Sequence, residues 1–431
     1  MARVGKSIIL PILCLLVLFG CGPRGLQRKS LVLDKSDSNL LGRCSSQHVA
    51  GEVIQKIDAL FIRSGKYARS FLPPPYANFP HSLTPSYPEL VSKSMESPLI
   101  LNPARLGTYY QRIDSELRHL PPILASYLAD GKGELEVVAT SVESSNGQQL
   151  LPLLGRVYGL HLWAQRYDFA LCNRDKQLAR SKFDVRSYFK LEHLLQDDDS
   201  EEQLLLSAEL PVTVEKDLID LCQKNRPEAS VAATAICRRE LSQAKWQQFY
   251  QHHRKKFYQE RYLDIFRLNR TEQLNCRKTS DDKVEIDVPF YLPNIGLQGK
   301  LQQAVKRYYS SSKLGVSLKI VLHPSPQGAV TIKEHSGVIS HINHQPNGAM
   351  EIALSRNLDG EAIISTLGHE VGHILGFKDC YLEFLSQGEQ QSEEVLVYYS
   401  LDKKNLMCSI GKWSLIPDEY LTKLVESRCV F

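Results

Sequence analysis

The sequence predicts an α+β protein: a mostly helical N-terminal region followed by a domain in which strands and helices alternate. Three observations predict it. From Gln47 to Leu268 apolar residues recur at helical spacing in successive segments. At Val284 the period changes to two, with Val284, Ile286, Val288 and Phe290 alternating against Glu285 and Asp287. Further on, an alternating run at Met350, Ile352 and Leu354 leads directly into a helical stripe of Ile364, Leu367, Val371, Ile374 and Leu375.

The first segment, residues 1–20, reads as a leader. Arg3 and Lys6 form a charged start, and Ile8 to Phe19 an apolar run. That run is shorter than the ~20 residues needed to span a bilayer. Leu18-Phe19-Gly20-Cys21 resembles a bacterial lipoprotein signal, in which the cysteine is lipidated and becomes the mature N-terminus. The resemblance implies a protein of the bacterial cell envelope, tethered to a membrane through Cys21. Gly22, rather than Asp, after that cysteine resembles lipoproteins sorted to the outer membrane. A plain secretory signal and an uncleaved anchor are the other readings of the segment. Residues 21–46 are polar and read as a tether.

Residues 47–270 read as a mostly helical domain without nameable chemistry. Helical spacing covers Gln47–Ser70, Pro103–Leu128, Leu150–Cys172, Val212–Cys222, Ala229–Leu241 and Ser242–Leu268. Six prolines between Phe71 and Pro88 forbid regular structure there, and Glu134–Ser141 alternates like an isolated strand. The acidic run from Asp197 to Glu202 lacks the spacing of a calcium loop and reads as a solvated turn. Arg254, Lys255 and Lys256 beside Trp246, Phe249 and Phe257 read as the wet side of an amphipathic helix. A net charge of +4 over 431 residues gives no reason to expect nucleic acid as a partner. Residues 271–282 are polar and read as a linker.

Residues 283–431 read as the second domain. Strands are expected at Val284–Phe290, Val316–Ile320, Val338–Asn343 and Met350–Leu354, with a helix at Leu297–Tyr309 between the first two. A helix from about Ile363 is introduced by Asp359 and Glu361 and stopped by Gly376. The polar stretch after Asp379, especially Ser386 to Glu394, reads as a surface insertion, and Pro417–Ser427 as a final helix.

That central helix carries His369-Glu370-Val371-Gly372-His373. Histidines four apart project from one helix face, so both imidazoles can reach one metal ion. Glu370 stands beside the first of them, where it can take a proton from metal-bound water. Both rings fall on the side opposite the apolar stripe, which separates them from ordinary core histidines. Asp379 follows Gly376 by three residues, where a returning chain can add a third ligand.

His369, Glu370, His373, Gly376 and Asp379 resemble the extended HExxHxxGxxH/D signature of the metzincin zinc peptidases, in its Asp-ending, snapalysin-like form. Asn405-Leu406-Met407-Cys408-Ser409 resembles the methionine turn of that family. Ser409 stands where some members carry a tyrosine ligand, so none is expected from the turn. The resemblance covers about the last third of the chain. It implies a twisted mixed sheet, a zinc helix, the turn and a C-terminal helix. It also implies a zinc endopeptidase acting on a protein or peptide substrate, with His369, His373 and Asp379 holding Zn2+ and Glu370 as general base. Met407 would pack beneath the metal without doing chemistry. A zinc hydrolase of cell-wall peptides would need the same residues, and a non-catalytic metal-binding lipoprotein would not need Glu370. The helical domain could serve as a pro-segment, an inhibitor or a recognition module.

His335, His341 and His344 offer a second cluster but read as loop and edge-strand histidines. Outside Cys14 and Cys21 eight cysteines remain, and in an exported protein an even number reads as disulfides. Cys276 reads as one of these. Cys380 and Cys408, beside Asp379 and Met407, are expected to pair with each other or with Cys429 rather than bind zinc.

Overall fold

In the C-terminal part, β3 (Val284–Tyr291) has alternate side chains buried, as its period of two demands. It begins the main sheet after a short strand, β2 (Asn275–Lys278), that pairs antiparallel with it. Helix α9 (Ile295–Tyr308) then crosses over to β5 (Val316–Leu322), which lies parallel to β3, preceded by the two-residue β4 (Ser310–Ser311). A helix is the usual bridge here, because parallel neighbours cannot be joined by a tight turn. β6 (Val330–His335) and β8 (Met350–Ser355) continue the parallel set, and β7 (His341–His344) closes the edge antiparallel to β8. The strand order is β4-β5-β3-β6-β8-β7, with β2 beside the start of β3. The protein thus combines helices with a mixed sheet.

This computed structural model describes residues 51–72, 79–80, 90, 94–133, 150–196, 210–226, 230–269, 272–335, 340–345, 348–356, 358, 360–387, 394–410 and 414–431. The leader, Cys21, the tether, the possible strand at Glu134–Ser141, the acidic run at Asp197–Glu202 and Asp359 lie outside them. No described helix is long and apolar enough to cross a membrane.

Upstream, the helical spacing is realised in α1 (Glu52–Phe71), α2 (Pro103–Leu117), α3 (Leu151–Cys172) and α4 (Arg174–Arg180). It continues in α5 (Arg186–Gln196), α6 (Val212–Lys224), α7 (Ser230–Gln243) and α8 (Trp246–Phe257). Asn102 caps α2 by accepting from the Arg105 amide at 2.8 Å, with Pro103 at the first helical position. These helices divide between two buried apolar clusters. Ile54, Leu60, Leu106, Leu153 and Ala164 build one. Leu191, Leu218 and Phe257 join the other, which also holds the sheet and the helix of the histidines.

Directly after Asp379, where an insertion is expected, β9 (Tyr381–Gln387) and β10 (Glu394–Ser400) pair antiparallel and β1 (Leu99–Leu101) adds to β10, while residues 388–393, the middle of the expected insertion, lie outside the described residues. The faces of β9 and β10 are shared between the clusters. Phe384, Val397 and Tyr399 enter the sheet-side core, while Leu385, Leu396 and Tyr398 enter the helical one. The alternation is present in the sequence, but with both faces buried there is no hydrophobic-in, polar-out contrast to read. β2 was likewise hidden, since the 271–282 stretch has the polarity of a linker. Its Cys276 is tied to Cys429 just beyond the last helix, α11 (Asp418–Arg428).

Candidate metal centre

The helix of the histidines, α10, runs Gly360–Ile374, three residues earlier than the apolar stripe suggests. Gly376 ends it with φ at 96°. Its amide donates to the His373 carbonyl at 3.0 Å, and that of Phe377 reaches back to Gly372 at 2.9 Å. This paired closure needs a left-handed residue, which only glycine adopts freely. It turns the chain so that Asp379 comes back against the helix.

The side of α10 opposite the apolar stripe is itself buried: His369 is 3% exposed and Glu370 2%. Helix α10 lies in the interior, with both α9 and the Asn405–Ser409 turn packed against it. Two glycines make room. A Cβ on Gly368 would overlap the Tyr308 ring, and one on Gly372 would overlap Met407 Sδ. The Tyr309 hydroxyl uses the same closeness to donate to the Gly368 carbonyl at 2.6 Å.

Three ligand-type atoms converge. His369 Nε2 and His373 Nε2 are 3.1 Å apart, and Asp379 Oδ1 lies 3.1 and 3.2 Å from them. The opposite ring nitrogens are committed: His369 Nδ1 lies 2.9 Å from the Leu406 carbonyl, and His373 Nδ1 2.9 Å from that of Phe377. A carbonyl can only accept, so both Nδ1 atoms carry hydrogen and both Nε2 lone pairs face the same point unless an extra proton is bound. Two lone pairs and a carboxylate oxygen at such distances can share one positive charge, a proton or a metal ion. Nitrogen and oxygen donors of this kind, oriented through their Nδ1 partners, fit a zinc ion. Met407 is fully buried against Gly372, and its amide donates to Asn405 Oδ1 at 3.0 Å.

In the protein alone, a proton supplies the positive charge at this point. Burial alone would raise the Asp379 pKa, yet the His373 and His369 imidazoles hold it well below the usual carboxylate range. Burial would lower that of His373, but Asp379 outweighs it and lifts it to about 9. Burial raises Glu370, with the two imidazoles opposing, and its Oε2 is buried without a hydrogen-bond partner among the described residues. A buried, unsatisfied carboxylate oxygen beside this cluster is costly unless it has work there.

Cys380 and Cys408 are bonded to each other, as are Cys222 and Cys237. Neither sulfur beside the site is therefore available as a thiolate ligand. The second ligand-type cluster among the described residues, Cys222 with Glu240 and His253, has its sulfur in a disulfide. His335 and His341 bring their rings to 5.3 Å, but the upstream histidines form no three-ligand group among the described residues.

Sequence reasoning missed Tyr381. Its ring faces that of His369 at 6.3 Å and 27°, and burial pushes its phenol well above its ordinary pKa, with Asp379 adding to the shift. The phenol therefore stays a hydrogen-bond donor at neutral pH. Its position two residues past Asp379 was the available signal.

Scans against protein-family models, curated proteins and solved structures returned no match.

Proposed function

We propose that the protein is a zinc-dependent endopeptidase of metzincin type, in which His369, His373 and Asp379 hold the metal. The observation that carries this reading is the convergence of two imidazole nitrogens and one carboxylate oxygen beside Glu370, whose Oε2 has no hydrogen-bond partner among the described residues. The turn at Met407 beneath the helix and the closing helix α11 are consistent with that family's order of elements.

Bound there, zinc supplies polarisation of a scissile carbonyl and acidification of a water. Glu370 accepts the proton of the attacking water and returns it to the leaving amine. Tyr381 can donate to the oxygen on which negative charge develops. With Cys380 and Cys408 spent in a disulfide, three protein ligands remain, the number typical of catalytic rather than structural zinc. The leader motif ending at Cys21 supports delivery to a bacterial envelope membrane through a lipid on that cysteine.

The test is incubation of the purified mature protein with a random peptide library, with and without chelator, beside a Glu370→Gln variant. Cleavage that chelation abolishes and zinc restores is expected. Glu370→Gln should keep the metal and lose ~10²–10⁴-fold in turnover. Wild-type rates in that variant would end the peptidase mechanism.

A further inference from the structure

Helix α3 belongs to the region for which the sequence offers no chemistry, yet it reaches the candidate site. It lays Trp163 and Arg166 on the face of the β9–β10 hairpin that enters the helical core. The Arg166 guanidinium lies 4.9 Å from the Tyr398 ring centre, 5.4 Å from that of Tyr381 and 5.6 Å from that of Trp163. It also forms an ion pair with Glu383, whose side chain is buried on the same hairpin. Trp163 meets Tyr398 edge to face at 5.1 Å, and Tyr381 meets Tyr398 at 5.5 Å. Tyr381 in turn faces His369. An unbroken series of contacts thus runs from Arg166 through Tyr381 to the metal-binding group.

Apolar side chains alone would hold a helix to this hairpin, as Leu385 and Leu396 already do nearby. Placing a guanidinium and a carboxylate there costs desolvation that an apolar pair would avoid. What arginine adds is a rigid planar fork that engages Glu383 while its face lies over the rings, fixing their orientation as well as their contact.

We propose that Arg166 is a positioning residue for the candidate site, holding the Tyr381 phenol in place beside His369. The helical region is then a working part of the site and not a segment to be removed. This rests on the zinc-peptidase reading above, in which Tyr381 donates to the oxygen that gains negative charge.

The test is a double-mutant cycle in the full-length mature protein: wild type, Arg166→Met, Tyr381→Phe and both together. Three quantities are measured: kcat on a peptide cleaved by the wild type, zinc affinity by chelator competition, and amide hydrogen exchange of 381–400 in the metal-free protein. Misplacing one catalytic group costs up to about 100-fold, so Arg166→Met is expected to lower kcat by roughly 10–100-fold. Zinc affinity should remain near wild type, and exchange should quicken in the hairpin but not in α10. In the Tyr381→Phe background the same change should cost little, because the group it positions is already gone. Arg166→Lys, which keeps the charge without the fork, should fall between and decides the matter if Arg166→Met fails to fold. A wild-type kcat in Arg166→Met, or an equal loss in both backgrounds, overturns the inference while leaving the peptidase reading intact. A wild type that neither binds zinc nor cleaves peptide overturns both.

Discussion

Asp379 is the residue on which the site turns, because the two histidines could come from any helix with that spacing while the third donor must be delivered by a returning chain. With Oδ1 at 3.1 and 3.2 Å from the two imidazole nitrogens, it brings the negative charge of the group, so its removal takes away both a donor atom and the charge that attracts a cation. Asp379→Ala should therefore weaken zinc binding by more than the roughly 10–100-fold typical of losing an outer-shell partner. His335→Ala and His344→Ala should leave it near wild type, and zinc titration of the three variants compares them directly. A different histidine governs acid stability. Burial, reinforced by His252, lowers His253 to about 4 against the pull of Glu240. Unfolded, it would take a proton near pH 6.5. Its contribution is thus complete above about pH 6.5 and is lost as pH falls toward 4, an effect of order 3 kcal/mol. Thermal melts between pH 4 and 7 should show a shallower decline in His253→Gln than in the wild type.

Among elements, α10 shows why small residues sit in a helix that must be approached closely. Gly→Ala in a helix ordinarily stabilises by about 0.5–1 kcal/mol. At Gly372 the added carbon would run into Met407 Sδ and come within 2.9 Å of the Tyr309 hydroxyl. Overpacking of this kind costs about 1–3 kcal/mol and wins over the helix gain. Gly372→Ala should thus lower the urea midpoint and loosen metal binding together. Gly299→Ala, in α9 with nothing within 4 Å, should raise the midpoint slightly. A rise in both variants would show that the Met407 turn can retreat from the helix.

Across the whole molecule, the C-terminus is clasped to the elements that support the site. Arg428 donates to the carbonyls of Glu272 and Leu375, and its own carbonyl accepts from Leu274 at 2.9 Å. The Cys276–Cys429 bond closes a loop across a separation of 153 residues, spanning the sheet, α10 and the hairpin. Losing a native disulfide typically costs about 2–5 kcal/mol. Cys276→Ser with Cys429→Ser should lose stability in that range by urea unfolding at neutral pH, with zinc affinity reduced far less than by Asp379→Ala.

His369, Glu370, His373 and Asp379 could be read from the sequence because helical spacing places side chains on one face whatever packs around them. The Gly376 stop was legible for a similar local reason, since a left-handed closure nearly requires glycine. The alternating strands β3, β5 and β8 were visible from their period of two. The hairpin after Asp379 was not, because both of its faces are buried in different cores and its register depends on β1, some 280 residues upstream by chain position. The burial of the histidine side of α10 was hidden too, since Leu406, Asp379 and Tyr381 come onto it from the turn and from the returning chain. Sequence by itself thus determined the kinds of side chain that meet and their spacing along one helix. Only the tertiary structure decided what surrounds them, because burial and the Arg166–Tyr381–His369 contacts join residues far apart in the chain, and no local period encodes such contacts.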